Sequence, residues 1–225
     1  MGSDDLFRKR KPKTGRDFKR RSPKRAPYDK VLIVCEGSKT EPNYFNELRD
    51  YSTLETANVR VASSCGSDPM SVVRHGKNLY RDEKQKGHPY DRVYCVFDGD
   101  VARGKFEEAL ATIRNAMPSK TFFAITSVPC FEYWFLLHFT YTTAQFSAVG
   151  GVSAGDATEA ELRRFWPGYS KGLKGTFLHL LEHLDRAAVH GQRALNEAER
   201  NGTDNPSTRV HELVAYLQNL KKTPT

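Results

Sequence analysis

Three acidic side chains carry the strongest chemical signal in the chain. Glu36 directly follows the apolar run Val31 to Cys35, and Asp98 and Asp100 follow the apolar run Arg92 to Phe97 with Gly99 between them. Short continuous runs of this β-branched type are what strands buried on both faces of a parallel sheet require. Ligands of such sheets bind beyond the carboxyl ends of the strands, and all three acids fall at that edge. Neighbouring carboxylates repel one another, and a bound divalent cation is the natural compensation. Two aspartates at i and i+2 in a loop, with a glycine to turn the backbone, can address one ion. A hard cation such as Mg²⁺, with Mn²⁺ as the alternative, takes oxygen ligands at about 2.0 to 2.1 Å. A lone D-x-D is common in solvated loops, so the weight rests on its pairing with Glu36 behind a second buried strand.

The elements that must position these acids alternate between strand and helix. After strand 31–35, Pro42 suits a first helical turn and Thr40 its N-cap, which predicts a helix from Glu41 to about Tyr51. Asn58 to Ala62 reads as a second, weaker strand. Ser67 and Asp68 cap a helix that opens at Pro69 and runs to roughly Lys86, where Gly87 and Pro89 close it. Arg92 to Phe97 is the third strand, Lys105 to Met117 a helix, and Thr121 to Val128 the fourth strand. This order implies a doubly wound, mostly parallel α/β sheet of about four strands. From Phe131 onward only helical patterns remain: 131–139, 158–165, 173–199 and 208–220, with a Gly-rich loop at 150–155. The expected organisation is a basic arm over 1–29, an α/β core over 30–140 and a helical extension over 141–225 packed on it.

Length and charge fit that division. At 225 residues, with 38% hydrophobic and 28% charged, the chain suits one compact core. Residues 1 to 30 hold 12 Lys or Arg against 4 acids, the whole net charge of +8, so the remainder is formally neutral. The arm, with Arg8, Lys9, Arg10, Lys11, Lys19, Arg20, Arg21, Lys24 and Arg25, is too poor in apolar residues to offset the entropy of ordering and is expected to be mobile. It reads either as a solubilising segment or as a tether that holds polyanions by counterion release. It has no apolar h-region, and the apolar run Phe131 to Phe139 is half a membrane span, so a cytoplasmic protein without membrane attachment is expected. Cys35, Cys65, Cys95 and Cys130 form no C-x-x-C pair, and Cys35 and Cys95 read as buried thiols.

Glu-Gly after one strand and Asp-x-Asp after a later one resemble the Toprim metal site of topoisomerases, primases and overcoming-lysogenization-defect nucleases. The stretch Cys35-Glu36-Gly37-Ser38-Lys39-Thr40-Glu41-Pro42-Asn43-Tyr44-Phe45 resembles the opening motif of the RloB-like family of abortive-infection proteins. The resemblance continues through Phe97 to Asp100, Ser127 to Trp134 with Leu136 to Phe139, and Asn205-Pro206-Ser207-Thr208, in order over nearly all of residues 30 to 220. It implies a Toprim fold and a nuclease acting on RNA or DNA in phage defence, often beside a partner ATPase; a homodimer is compatible with it. Two departures stand out. The acid after Glu-Gly in related nucleases lies four residues on, whereas Glu41 is five from Glu36, which leaves its part as a second-metal ligand open; and Gly99 stands where a basic or bulky residue is expected.

For phosphodiester hydrolysis, Asp98 and Asp100 are assigned as ligands of one ion or of a pair, and Glu36 as a further ligand or as general base. Lys39 is placed to neutralise the phosphate in the transition state. Glu132 and His138 lie on one helix in an otherwise apolar run but on different faces; Glu132 is carried as a catalytic candidate beside its reading as a satisfied core acid, and His138 reads chiefly as structural. Lys171 and Lys174 read as phosphate contacts or as ordinary solvated lysines. His179-Leu180-Leu181-Glu182-His183 matches the inverted zinc-peptidase helix pattern by spacing alone, without the strand scaffold or further acid that site needs. The non-enzymatic rival is a basic-armed nucleic-acid-binding subunit that regulates a defence complex.

Overall fold

The computed structural model describes residues 28–64, 66, 68–99 and 101–221. Strand β1 (Val31–Cys35) leads through helix α1 (Thr40–Tyr51) to β2 (Val59–Ser63), and α2 (Pro69–Gln85) returns the chain to β3 (Arg92–Asp98). Helix α3 (Arg103–Arg114) and β4 (Phe122–Val128) follow, then α4 (Glu132–Phe139) and α5 (Ala154–Phe165). The chain ends with α6 (Thr176–Leu180), a 3₁₀ turn (Leu181–His183), α7 (Leu184–Arg200), β5 (Ser207–Thr208) and α8 (Val210–Asn219). The strands order as β2-β1-β3-β4-β5, parallel except for β5, which pairs antiparallel with β4.

Side-chain alternation along the strands divides the core. Val31, Ile33, Cys35, Tyr94, Val96 and Ile125 face one layer with Tyr44, Phe45, Trp134, Phe177 and the C-terminal helices. Leu32, Val34, Val93, Cys95 and Phe97 face the other, against Val72, Val73, Phe106 and Ile113 of α2 and α3. Because both faces are covered, β1 is buried at every position, which is why it reads as an unbroken apolar run. The C-terminal helices share the first of these clusters with the sheet.

Most boundaries fall within a residue or three of the sequence reading, and the differences have local causes. Asp68 does cap α2, its carboxylate accepting from the Ser71 amide at 3.1 Å. Thr40 does not cap α1: it is the first helical residue, Lys39 occupies the cap, and the Thr40 hydroxyl accepts from Gly172 N at 3.0 Å. Among the described residues the sheet has five strands, the fifth being only Ser207–Thr208, too short for a two-residue period to reveal and held by Ser127 Oγ to Thr208 Oγ1 at 2.8 Å. The long helix expected over 173–199 is interrupted. Gly172 and Gly175 both adopt φ of +78°, so α6 starts only at Thr176, and the Glu47 carboxylate receives the Gly175 and Phe177 amides at its head. Tyr28 and Asp29, counted with the arm, belong to the fold: Tyr28 is buried and its hydroxyl accepts from Glu55 N, while Tyr216 donates to Asp29 at 2.7 Å. Among the described residues no helix is long and apolar enough to cross a membrane.

Candidate metal and phosphate site

The strand order decides whether the acids meet. β1 connects outward to β2 and β3 outward to β4, so the connections leaving their carboxyl ends diverge and leave a crevice above the adjacent strands, the usual ligand position in open α/β sheets. Glu36 stands one residue beyond β1 and Asp98 is the last residue of β3. The two tips are stitched together: Glu36 N donates to Val96 O at 3.0 Å, and Glu36 Oε2 accepts from Asp98 N at 3.1 Å. Glu41, in the first turn of α1, reaches back so that its Oε1 accepts from Gly37 N at 3.0 Å, which fixes the Glu-Gly turn. Glu132 opens α4, and its Oε1 accepts from the Tyr169 hydroxyl at 2.8 Å.

All four acids line one cavity of 390 Å³, with Ser38, Lys39, Thr40, Lys171 and Gly172 on its rim. Burial, then the charges of Glu41, Glu132 and Glu36, pushes the Asp98 carboxyl well above its ordinary range. Burial also raises Glu36, partly offset by the Asp98 amide, and raises Glu41, which additionally faces Glu132 and Glu36. Burial disfavours the Lys171 ammonium, but Glu132 and Glu159 outweigh this and hold it above its usual value.

The donors are hard oxygens around an excess of negative charge, which fits a divalent cation such as Mg²⁺ in chemistry. Among the described residues no group of three or more His, Cys, Asp or Glu side chains is arranged to hold a metal ion. Glu36, Glu41 and Glu132 each commit one carboxylate oxygen to a donor of the protein, and Asp100, assigned as a ligand, lies outside the described residues.

The other assigned residues divide. Lys39 and Lys171 border the cavity and Lys174 does not. Arg8, Lys9, Arg10, Lys11, Lys19, Arg20, Arg21, Lys24 and Arg25 lie outside the described residues, as does Cys65. Cys35, Cys95 and Cys130 are buried free thiols. His138 is fully buried, its Nδ1 3.0 Å from Trp134 O, and burial pushes its pKa down to about 3, so it is a neutral core histidine. The H-x-x-E-H spacing does not lie on one α-helix, since α6 ends at Leu180 and His183 closes the 3₁₀ turn; His179 stacks on Trp166 at 4.2 Å and His183 pairs with its neighbour Glu182. Tyr169, Gly172 and Glu159 were not singled out from sequence; the one available signal was the Gly-rich stretch 168–175 between two helical patterns.

Gly99 is explained by space rather than by ligand contact. A Cβ there would lie 2.5 Å from Val128 Cγ2, so the Asp98–Gly99 turn presses directly on β4. Gly99→Ala is expected to cost about 1–3 kcal/mol by overpacking. Val128→Ala in the same chain should recover most of that loss, which chemical denaturation of the single and double variants measures.

The raised carboxyls also set a pH dependence. In the folded state Asp98, Glu36 and Glu41 hold protons at pH values where the unfolded chain has lost them. Stability of protein held in chelator should therefore rise as pH falls from neutrality toward their ordinary values of 3.8 and 4.5. Glu83 works oppositely. Hydrogen bonds from Lys30 and Lys86 hold it at about 2, so its contribution is present above 4.5 and lost below, toward 2. Thermal melts in chelator are expected to show Tm rising by about 2–4 °C on acidification from roughly pH 8 to 5, and divalent cation should flatten that slope.

Sheet order, crevice and carboxylate cavity define an α/β protein whose site is built at the switch point of a parallel sheet. Residues 31–217 match the family model described as RloB-like protein, so the chain belongs to the RloB-like family. No curated protein and no solved structure matches the chain.

Proposed function

We propose that this protein is a Mg²⁺-dependent Toprim-type nuclease that hydrolyses phosphodiester bonds of RNA or DNA in bacterial anti-phage defence. The observation that carries the reading is the convergence of Glu36, Glu41, Asp98 and Glu132 on one cavity at the β1/β3 crevice, with Lys39 and Lys171 at its rim. Asp98 and Asp100 are the residues to hold the ion, with Glu36 either completing its coordination or serving as general base. The ion would supply Lewis-acid polarisation of a phosphoryl oxygen. Glu36 has one oxygen engaged by the Asp98 amide and a raised pKa, which suits the other oxygen to take a proton from the attacking water. Glu41 is engaged by the Gly37 amide and acts chiefly by holding the turn that presents Glu36. Lys39 offsets phosphate charge at the rim.

Purified protein with Mg²⁺ or Mn²⁺, assayed alone and with a candidate partner ATPase against RNA and DNA panels, is expected to cut at least one of them. Expression of the wild type but not of Glu36→Ala is expected to be toxic, and sequencing the damaged nucleic acid identifies the target. Binding without cleavage under all these conditions would establish the regulatory, nucleic-acid-binding reading instead.

A further inference from the structure

The segment between α5 and α6 forms one wall of the acidic cavity although it lies more than a hundred residues from the strand that bears Glu36. Three contacts with α1 seat it. Gly172 N donates to Thr40 Oγ1 at 3.0 Å, Asn43 Nδ2 donates to Gly172 O at 2.9 Å, and the Glu47 carboxylate takes Gly175 N at 2.6 Å and Phe177 N at 2.9 Å. A fourth, Tyr169 to Glu132, ties it to α4. Gly172 has φ of +78°, and a Cβ there would sit 2.9 Å from Lys39 Cβ, so the loop backbone lies against the Lys39 stem. Lys171 is thereby delivered to the cavity, where Lys174, three residues on, is not. Its Nζ lies 3.5 Å from Glu159 Oε2; Glu159 is largely buried on α5, and its Oε1 is held by Arg163 at 2.6 Å.

We infer that Lys171, beside Lys39, contacts the scissile phosphate at the mouth of the cavity, and that Glu159 and the Gly172 seat are positioning groups for it. The inference rests on the nuclease reading above and deepens it. In the hydrolysis, the P–O bond to water forms as the P–O bond to the leaving oxygen breaks. The water proton passes to Glu36, and the leaving oxygen takes a proton from solvent. Lys171 stays protonated throughout and contributes positive charge to a non-bridging oxygen. That charge matters most as negative charge builds in the transition state, so its loss should appear in kcat rather than in KM. Glu159 keeps the flexible ammonium from collapsing fully onto Glu132, and holds it within reach of the phosphate.

The test is steady-state cleavage by the full chain on the substrate that the wild type cuts, with oligonucleotide affinity measured by fluorescence anisotropy in an Asp98→Asn background. Lys171→Met is expected to lower kcat by about 10²–10³-fold with KM and affinity changed less than about threefold. Lys171→Arg should restore part of the rate, Glu159→Gln should lower kcat by about tenfold at unchanged KM, and Lys174→Met should stay within about twofold of wild type. Lys171 is exposed, so its variants should melt as the wild type does. Equal losses for Lys171→Met and Lys174→Met, or a loss confined to KM and affinity, would reduce Lys171 to a general backbone tether and overturn the inference. An active wild type whose Lys171→Met variant keeps its kcat sinks this inference alone, whereas a wild type inert on every RNA and DNA sinks the nuclease reading and this inference with it.

Discussion

Asp98→Asn is expected to abolish phosphodiester cleavage, by about 10³-fold or more, while leaving the chain folded and its affinity for nucleic acid near that of the wild type. The side chain sits where β3 ends, its own amide clamped to Glu36, facing Glu41 and Glu132 across the same cavity. Asparagine keeps the shape and one oxygen but removes the formal charge that would hold a divalent cation. Losing several kcal/mol of charge stabilisation in the transition state corresponds to three or more decades in rate. The same substitution relieves the repulsion that raises the Asp98 pKa, so in chelator the variant should melt about 2–4 °C above the wild type. Single-turnover cleavage with saturating Mg²⁺ or Mn²⁺, beside a thermal melt in chelator, measures both effects. A variant that loses activity and stability together would indicate a structural acid rather than a ligand.

The second large effect lies beneath the site. Trp134→Ala is expected to destabilise the fold by about 3–5 kcal/mol, lowering Tm by roughly 10 °C or more. Trp134 is fully buried in α4, and its Nε1 donates to Tyr44 Oη at 2.9 Å across a separation of 90 residues. Tyr44 in turn meets Phe131, Phe135 and Phe177 edge-on or tilted, with centroids 5.4 to 5.8 Å apart. Truncation empties a large volume and orphans the Tyr44 hydroxyl. It also loosens the two helices whose first turns carry Glu41 and Glu132, so activity should fall even where the variant is still folded. Trp134→Phe fills most of the space and loses only the hydrogen bond, for which about 1–2 kcal/mol is expected. Denaturant titration of both variants checks the ranking, and similar small losses for Phe and Ala would show that the aromatic cluster does not hold the two helices together.

Much of this was legible in the order of residues. β1 and the middle of β3 announce themselves because a strand stretch covered on both faces favours an unbroken apolar run, and Leu32 and Ile33 are buried on opposite sides of the same sheet. Asp68 and Pro69 mark the start of α2 because capping uses contacts within one turn. Glu36, Asp98 and Asp100 stand out because strand ends are where an α/β sheet collects ligands.

The rest depended on contacts too distant for any local pattern to encode. Glu132 and His138 share one short apolar helix, yet Tyr169 and the cavity receive the first while the core encloses the second; only packing distinguishes them. The two residues of β5 exist as a strand because Ser127 and Val128 offer an edge, not because Ser207 and Thr208 have any periodicity. Lys171 and Lys174 look alike as solvated charges three residues apart. Left-handed Gly172 and the hydrogen bonds to Thr40 and Asn43 set one of them over the carboxylates and leave the other outside. Sequence determined which groups were available for the chemistry, since side-chain type and local period are properties of neighbouring residues. Tertiary structure decided which of them share a cavity, because the 3.0 Å bond between Gly172 and Thr40 spans 132 residues that only the closed fold brings together.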